Sequence, residues 1–165
     1  MSDALTYVMG CDPRVPDILR RIGKRYLWQP VPKGLPRYRT VGECHANCQK
    51  AVLQDKRLTY VEGAALRSLN GVSLWIGHAW VTLDGEHAID LTWRGQRVPY
   101  FRKGARDGEH IGERRYKPGD RIAMDPAAEY LGVEIPTKDV AKLILANSYY
   151  GLRLAEWVAQ RSEAA

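Results

Sequence analysis

Several features that would decide the chain's class at once are missing from it. No apolar run approaches the roughly 18 residues that a membrane-spanning helix needs. The first residues, Met1 to Val8, carry no basic region followed by an apolar stretch, so a secretory signal is not expected and the cytoplasm is the expected compartment. Cysteine is scarce, and the odd count of three argues against a disulfide framework while leaving thiol chemistry open. There is no Cys-x-x-Cys knuckle, no internal repeat and no low-complexity tail beyond the last Glu-Ala-Ala.

What is present fits one globular domain. The chain has 165 residues, of which 45% are hydrophobic and 27% charged, enough length and apolar content to bury a core. Residues 1–39 read as an N-terminal helix and a proline-rich arm, 40–101 as the central unit, 102–129 as a charged loop, and 130–165 as a strand with C-terminal helices. The net charge is +6. It lies mainly in 14–39, with eight basic residues against Asp17 alone, and in 94–117, with eight against three acids. Such stretches form solvated surfaces that can also attract nucleic acid or an acidic protein.

Apolar residues at 18, 19, 22, 26 and 27 have helical spacing, so a helix is expected over 17–27. Three prolines and a glycine within 29–36 exclude regular structure there. Thr40 stands three residues before Glu43, the capping-box pattern, with Gly42 as a competing N-cap. A helix is then expected to about Asp55, with Cys44, Cys48, Ala51 and Val52 on one face. A strand over 58–66, an Asn70-Gly71 turn, a hairpin over 75–93, a strand over 130–135 and helices over 137–147 and 152–163 complete the reading. The expected fold class is α+β, with the cysteine-bearing helix packed on a small antiparallel sheet.

The hairpin register follows from its binary pattern. A two-residue loop would place His78 and Asp90 on opposite faces. A three-residue loop, Asp84-Gly85-Glu86 with Gly85 left-handed, pairs Leu83 with His87. One face then carries Ala79, Val81, Leu83, Ile89 and Leu91, and the other His78, Trp80, Thr82, Ala88, Asp90 and Thr92. The second register segregates apolar from functional residue types, and a one-residue slip would scramble both faces. It sets Asp90 diagonal to His78, within side-chain reach.

Cys44 falls in the first turn of its helix, where unpaired amides and the positive dipole end favour a thiolate. Cys44, His78 and Asp90 are therefore the candidate catalytic set: nucleophile, base, and the group that orients the base. Trp80, Trp93, Glu62 and Asn47 are candidate substrate-binding or supporting residues. Trp75 and Gln29 are weaker candidates, the latter as an oxyanion donor. Zinc is the rival chemistry, from Cys44, His45, Cys48, His78 and His87. However, His45 falls about 100° around the helix from Cys44, and no metal or cofactor is expected.

The run from Thr40 to Trp93, with Cys44, then His78-Ala79-Trp80, then Asp90-Leu91-Thr92, resembles the transglutaminase-like branch of the papain-like cysteine enzymes. The resemblance covers about a third of the chain. It implies hydrolysis or transfer of amide bonds through a Cys44 thioester on a protein or peptide substrate, with no metal in the chemistry. His45 stands where the family has an aromatic, and Leu91 where it commonly has proline. Cys44-His45-Ala46-Asn47 and Tyr130-Leu131-Gly132-Val133 also resemble segments of certain phage and bacterial proteins. The alternative is a non-catalytic binding protein on the same fold, engaging nucleic acid or a host protein through its basic surfaces.

Overall fold

The structure is a computed structural model, and it describes residues 5, 7–36, 38, 43–69, 72–93, 97–99, 113–115, 127, 129–145 and 153–163. Its first helix, α1, spans Val15–Ile22. Pro16 sits in the first turn, where its missing N–H costs nothing, and Arg20 and Arg21 sit in the last turn, opposite the negative dipole end. Val15, Ile18 and Leu19 are buried. The helix stops at Gly23, where the Cβ of any other residue would lie 2.4 Å from the Leu19 carbonyl oxygen.

That stop cuts short the helix expected over 17–27, of which 17–22 is helical. Lys24–Gln29 is instead a strand, β1. It pairs parallel with β4 (His87–Ile89), Leu27 opposite His87, and antiparallel with β7 (Glu129–Ile135), Tyr26 opposite Tyr130. Between them lie β2 (Thr59–Leu69) and β3 (Val72–Thr82), an antiparallel pair of 11 Cα partners. β2 also pairs with β7, so the order β1-β4-β3-β2-β7 closes on itself as a barrel.

The expected small antiparallel sheet under the cysteine helix is thus corrected to a closed five-stranded barrel with one parallel pair. The physical reason is β1: one short strand satisfies both edges that an open sheet would leave unpaired. A second correction concerns the charged loop over 102–129. Glu113–Arg115 within it is a strand, paired with Arg97–Pro99 in a separate two-stranded sheet; these are β6 and β5. Thr40, Gly42, Asn70, Gly71 and His110 lie outside the described residues.

Alternation along the strands builds two cores. Tyr26, Val61, Ala65, Trp80, Ala88 and Tyr130, drawn from all five barrel strands, meet in one buried cluster that fills the interior. Gly132 makes room for it, since a Cβ there would stand 2.7 Å from the Trp80 ring. The opposite faces of the strands, with Tyr60, Ala64, Ala79, Val81, Ile89, Val133 and Ile135, pack against the helices. Those helices are α1, α2 (Cys44–Gln54), α3 (Thr137–Leu145) and α4 (Arg153–Glu163). Val31 and Leu35 of the proline-rich arm are buried in the same outer core.

The hairpin takes the register its pattern demands. Val81 pairs with Ile89, so Leu83 falls opposite His87, and Gly85 has φ of 74°. Asp84 fixes the loop: its carboxylate accepts from the Glu86 and His87 amides at 2.8 and 2.9 Å. Trp80 and Ala88 face the barrel interior, while Val81, Ile89 and Leu91 face the outer core.

Candidate active site

Cys44 is the first residue of α2, preceded by Glu43 as N-cap without a side-chain cap hydrogen bond. The early amides of the helix therefore point toward the sulfur's end of the element. Cys48, Ala51 and Val52 anchor the helix face with no solvent exposure, and Cys48 is held as a neutral thiol, burial pushing it well above the ordinary value. The buried Asn47 Nδ2 donates to Thr92 Oγ1 at 3.0 Å. That bond ties the helix carrying Cys44 to the turn that follows Asp90.

His78 and Asp90 meet as the register requires. His78 Nε2 lies 2.8 Å from Asp90 Oδ2, and both side chains are nearly inaccessible. Asp90 Oδ2 also accepts from the Tyr130 hydroxyl at 3.0 Å. Its Oδ1 accepts from the Thr92 and Trp93 amides, each at 2.9 Å. Burial alone would raise the Asp90 pKa; the His78 charge and these hydrogen bonds lower it instead.

With Nε2 committed to Asp90, Nδ1 is the His78 nitrogen left over, and the ring lies close enough to Cys44 for each group to shift the other's titration. Trp93 stacks on the His78 ring, centroids 3.6 Å apart and planes within 10°. The Arg67 guanidinium lies over the far face of that stack, 4.2 Å from the Trp93 ring centre. The imidazole is thus fixed at its edge by Asp90 and on its face by Trp93.

Burial would push the Cys44 thiol up. The charge of His78, then hydrogen bonds from His45 and His78, outweigh it and bring the thiol down to about 5. In the same way burial would depress His78, and Asp90 with Cys44 lifts it to about 10. Between those values the resting pair is thiolate and imidazolium. Cys44 as a residue keeps 9% of its surface, against 1% for His78.

Trp80 is fully enclosed in the barrel, where it packs edge-on to Tyr26 and Tyr130, and offers no surface to a substrate. Trp75 packs half-buried against the outer core. Glu62, also buried, accepts from the Tyr60 hydroxyl at 2.8 Å and from the Leu154 amide at the start of α4 at 3.0 Å. Gln29 pairs with Ile89 on β4, one residue before Asp90. His87 bonds Asp84 in the hairpin loop, on the exposed side. Among the described residues, no three His, Cys, Asp or Glu side chains are grouped to hold a metal ion.

Two site residues escaped the sequence reading. Tyr130 is one, although its strand position, paired with Ala65, gives it the interior face that Trp80 and His78 share. His45, weighed from the sequence only as a zinc ligand directed away from Cys44, is the other: Nδ1 of its ring lies 3.2 Å from Cys44 Sγ. Neighbouring helical positions diverge at Cβ, but the imidazole is long enough to reach the sulfur. No protein-family model matches the chain, and neither does any curated protein or solved structure.

Proposed function

We propose that the chain is a cysteine-dependent amide hydrolase or acyl transferase that works through a Cys44 thioester. The observation that carries this reading is the buried His78–Asp90 pair, its carboxylate held by four hydrogen bonds, with its charge acting on the Cys44 thiol at a helix start. The Cys44 thiolate attacks a carboxamide or peptide carbonyl, and the helix-start amides hold the oxyanion. The His78 imidazolium then gives its Nδ1 proton to the departing amine, leaving a thioester and a neutral imidazole. Water or a second amine attacks the thioester as His78 takes its proton, and the thiolate is expelled. Asp90 holds the tautomer throughout and keeps its own charge.

A p-nitrophenyl ester tests the acylation half without knowledge of the natural substrate. The wild-type chain is expected to release a stoichiometric burst of nitrophenolate and to carry the acyl group on Cys44, located by peptide mass spectrometry. His78→Gln and Cys44→Ser are expected to lose the burst. Acylation scattered over lysines, with no burst, would remove the enzyme reading.

A further inference from the structure

Cys44 Sγ has two imidazoles beside it, and only one belongs to the triad. His45 Nδ1 lies 3.2 Å from the sulfur, and His45 Nε2 points the other way, 3.9 Å from Glu62 Oε1. Glu62 is itself fixed from two sides, by the Tyr60 hydroxyl on its own strand and by the Leu154 amide of α4. Gln49 of α2 reaches the Tyr60 hydroxyl at 3.5 Å, which extends the same buried cluster back to the helix that carries Cys44. His78 with Asp90 is a second imidazole–carboxylate pair beside the sulfur, its Nε2 on the carboxylate and its charge felt by Cys44.

We propose that His45 is a second catalytic imidazole of the Cys44 site and that Glu62 is its positioning residue. This inference rests on the reading of Cys44 as a nucleophile and assigns a division of labour within it. His45 is an imidazolium in the resting site, its Nδ1–H directed at the sulfur and its Nε2–H at Glu62. It keeps that proton through the cycle. When the thiolate attacks, the Nδ1–H loses a charged acceptor; when the thioester breaks, the same N–H receives the expelled thiolate. His78 does the proton transfers, taking none from His45 and giving none to it. The charge on sulfur is therefore held by one histidine and the protons are moved by another.

Other groups face this pair. His78 acts on Cys44, and Cys44 in turn on Cys48 and Tyr60, while Glu62 and His78 act on His45; Cys11 lies near enough to Glu62 to feel its charge. Cys48 and Tyr60 are held neutral by burial, and Cys11 is pushed up to about 12, first by burial and then by Glu62 and Asp12. Near neutral pH, Cys48, Tyr60 and Cys11 therefore add no charge beside the sulfur.

Alkylation of Cys44 by iodoacetamide, followed as a function of pH and read at Cys44 by mass spectrometry, tests the division. Wild type is expected to titrate near 5. His45→Gln is expected to raise that midpoint by about one to two units, the size of one charge-assisted hydrogen bond, and to slow the ester burst without abolishing it. His78→Gln is expected to keep a midpoint below the free-thiol value of about 8.5 while losing the burst. Glu62→Gln shifts the midpoint in the same direction as His45→Gln, by less.

A His45→Gln profile superimposed on wild type overturns the inference and leaves the Cys44–His78–Asp90 reading intact. A wild-type midpoint near 8.5 overturns both. Nitrogen NMR of histidine-labelled wild type keeps the test independent of whether variants fold: His45 is expected to carry protons on both nitrogens at pH 7, and a neutral His45 ring there overturns the assignment.

Discussion

Asp90 shows how much of the site rests on single atoms. Each of its oxygens accepts two bonds: the Thr92 and Trp93 amides on Oδ1, His78 Nε2 and the Tyr130 hydroxyl on Oδ2. Tyr130→Phe keeps the ring that packs against Trp80 and deletes one donor to a buried carboxylate. Such a loss costs about 1.5–3 kcal/mol, to be measured by urea unfolding at pH 7. Tyr26→Phe is the control. Its hydroxyl bonds Glu134, whose side chain is exposed, so water replaces the lost donor and the cost stays under about 1 kcal/mol. Equal losses for the two variants would mean that the Tyr130–Asp90 bond carries no special weight. At this scale the sequence was legible where chemistry and register coincide, as at Cys44, His78 and Asp90. His45 was not legible, because helical periodicity locates Cβ atoms and says nothing about where an imidazole ring swings.

The barrel depends on a pair of small residues meeting a large one. Gly132 lies opposite both Lys24 and Gly63, so it sits where β7 joins β1 on one side and β2 on the other. A Cβ at Gly132 would stand 2.7 Å from Trp80 and 2.8 Å from Val61 Cγ1. Gly132→Ala is expected to cost about 1–3 kcal/mol by overpacking. Adding Trp80→Leu should return part of that loss, and the double-mutant cycle measured by denaturant unfolding checks the coupling. Strictly additive losses would place the strain elsewhere. The hairpin was readable in the sequence because a slip of one residue reverses every side chain, leaving a single register that keeps polar residues off the outer core. β1 was not readable for the opposite reason. Of its six residues only Tyr26 is buried, while Leu27 is 71% exposed, so no alternation distinguishes it from the helix before it. Its parallel partner β4 lies about 60 residues away, and nothing local announces a pairing of that separation.

For the molecule as a whole, charge matters less through its net sum than through where protons sit in the folded state. The basic N-terminal stretch is partly matched: Arg14 pairs with Asp12, Arg20 with Asp17 and Arg25 with Glu129. Such exposed pairs contribute little to stability. The buried thiolate and imidazolium contribute a pH dependence instead. Cys44 falls to about 5 in the folded chain against about 8.5 unfolded. Its contribution is complete above the unfolded value and is lost as pH falls through 5. His78 rises to about 10 against about 6.5 unfolded, so its contribution is complete below 6.5 and lost as pH rises through 10.

Between about pH 5 and 6.5, His78 is protonated in both states, and the unfolded chain binds one more proton than the folded chain at Cys44. Stability should rise with pH across that window, by up to about 1.4 kcal/mol per unit. From about 6.5 to 8.5 the two groups oppose each other, with His45, also raised, adding a downward tilt. Urea unfolding of wild type and Cys44→Ala at pH 5.0, 5.75 and 6.5 isolates the thiol. The stability difference between them should grow steadily in favour of wild type. A constant difference would mean that the folded chain holds Cys44 as a neutral thiol.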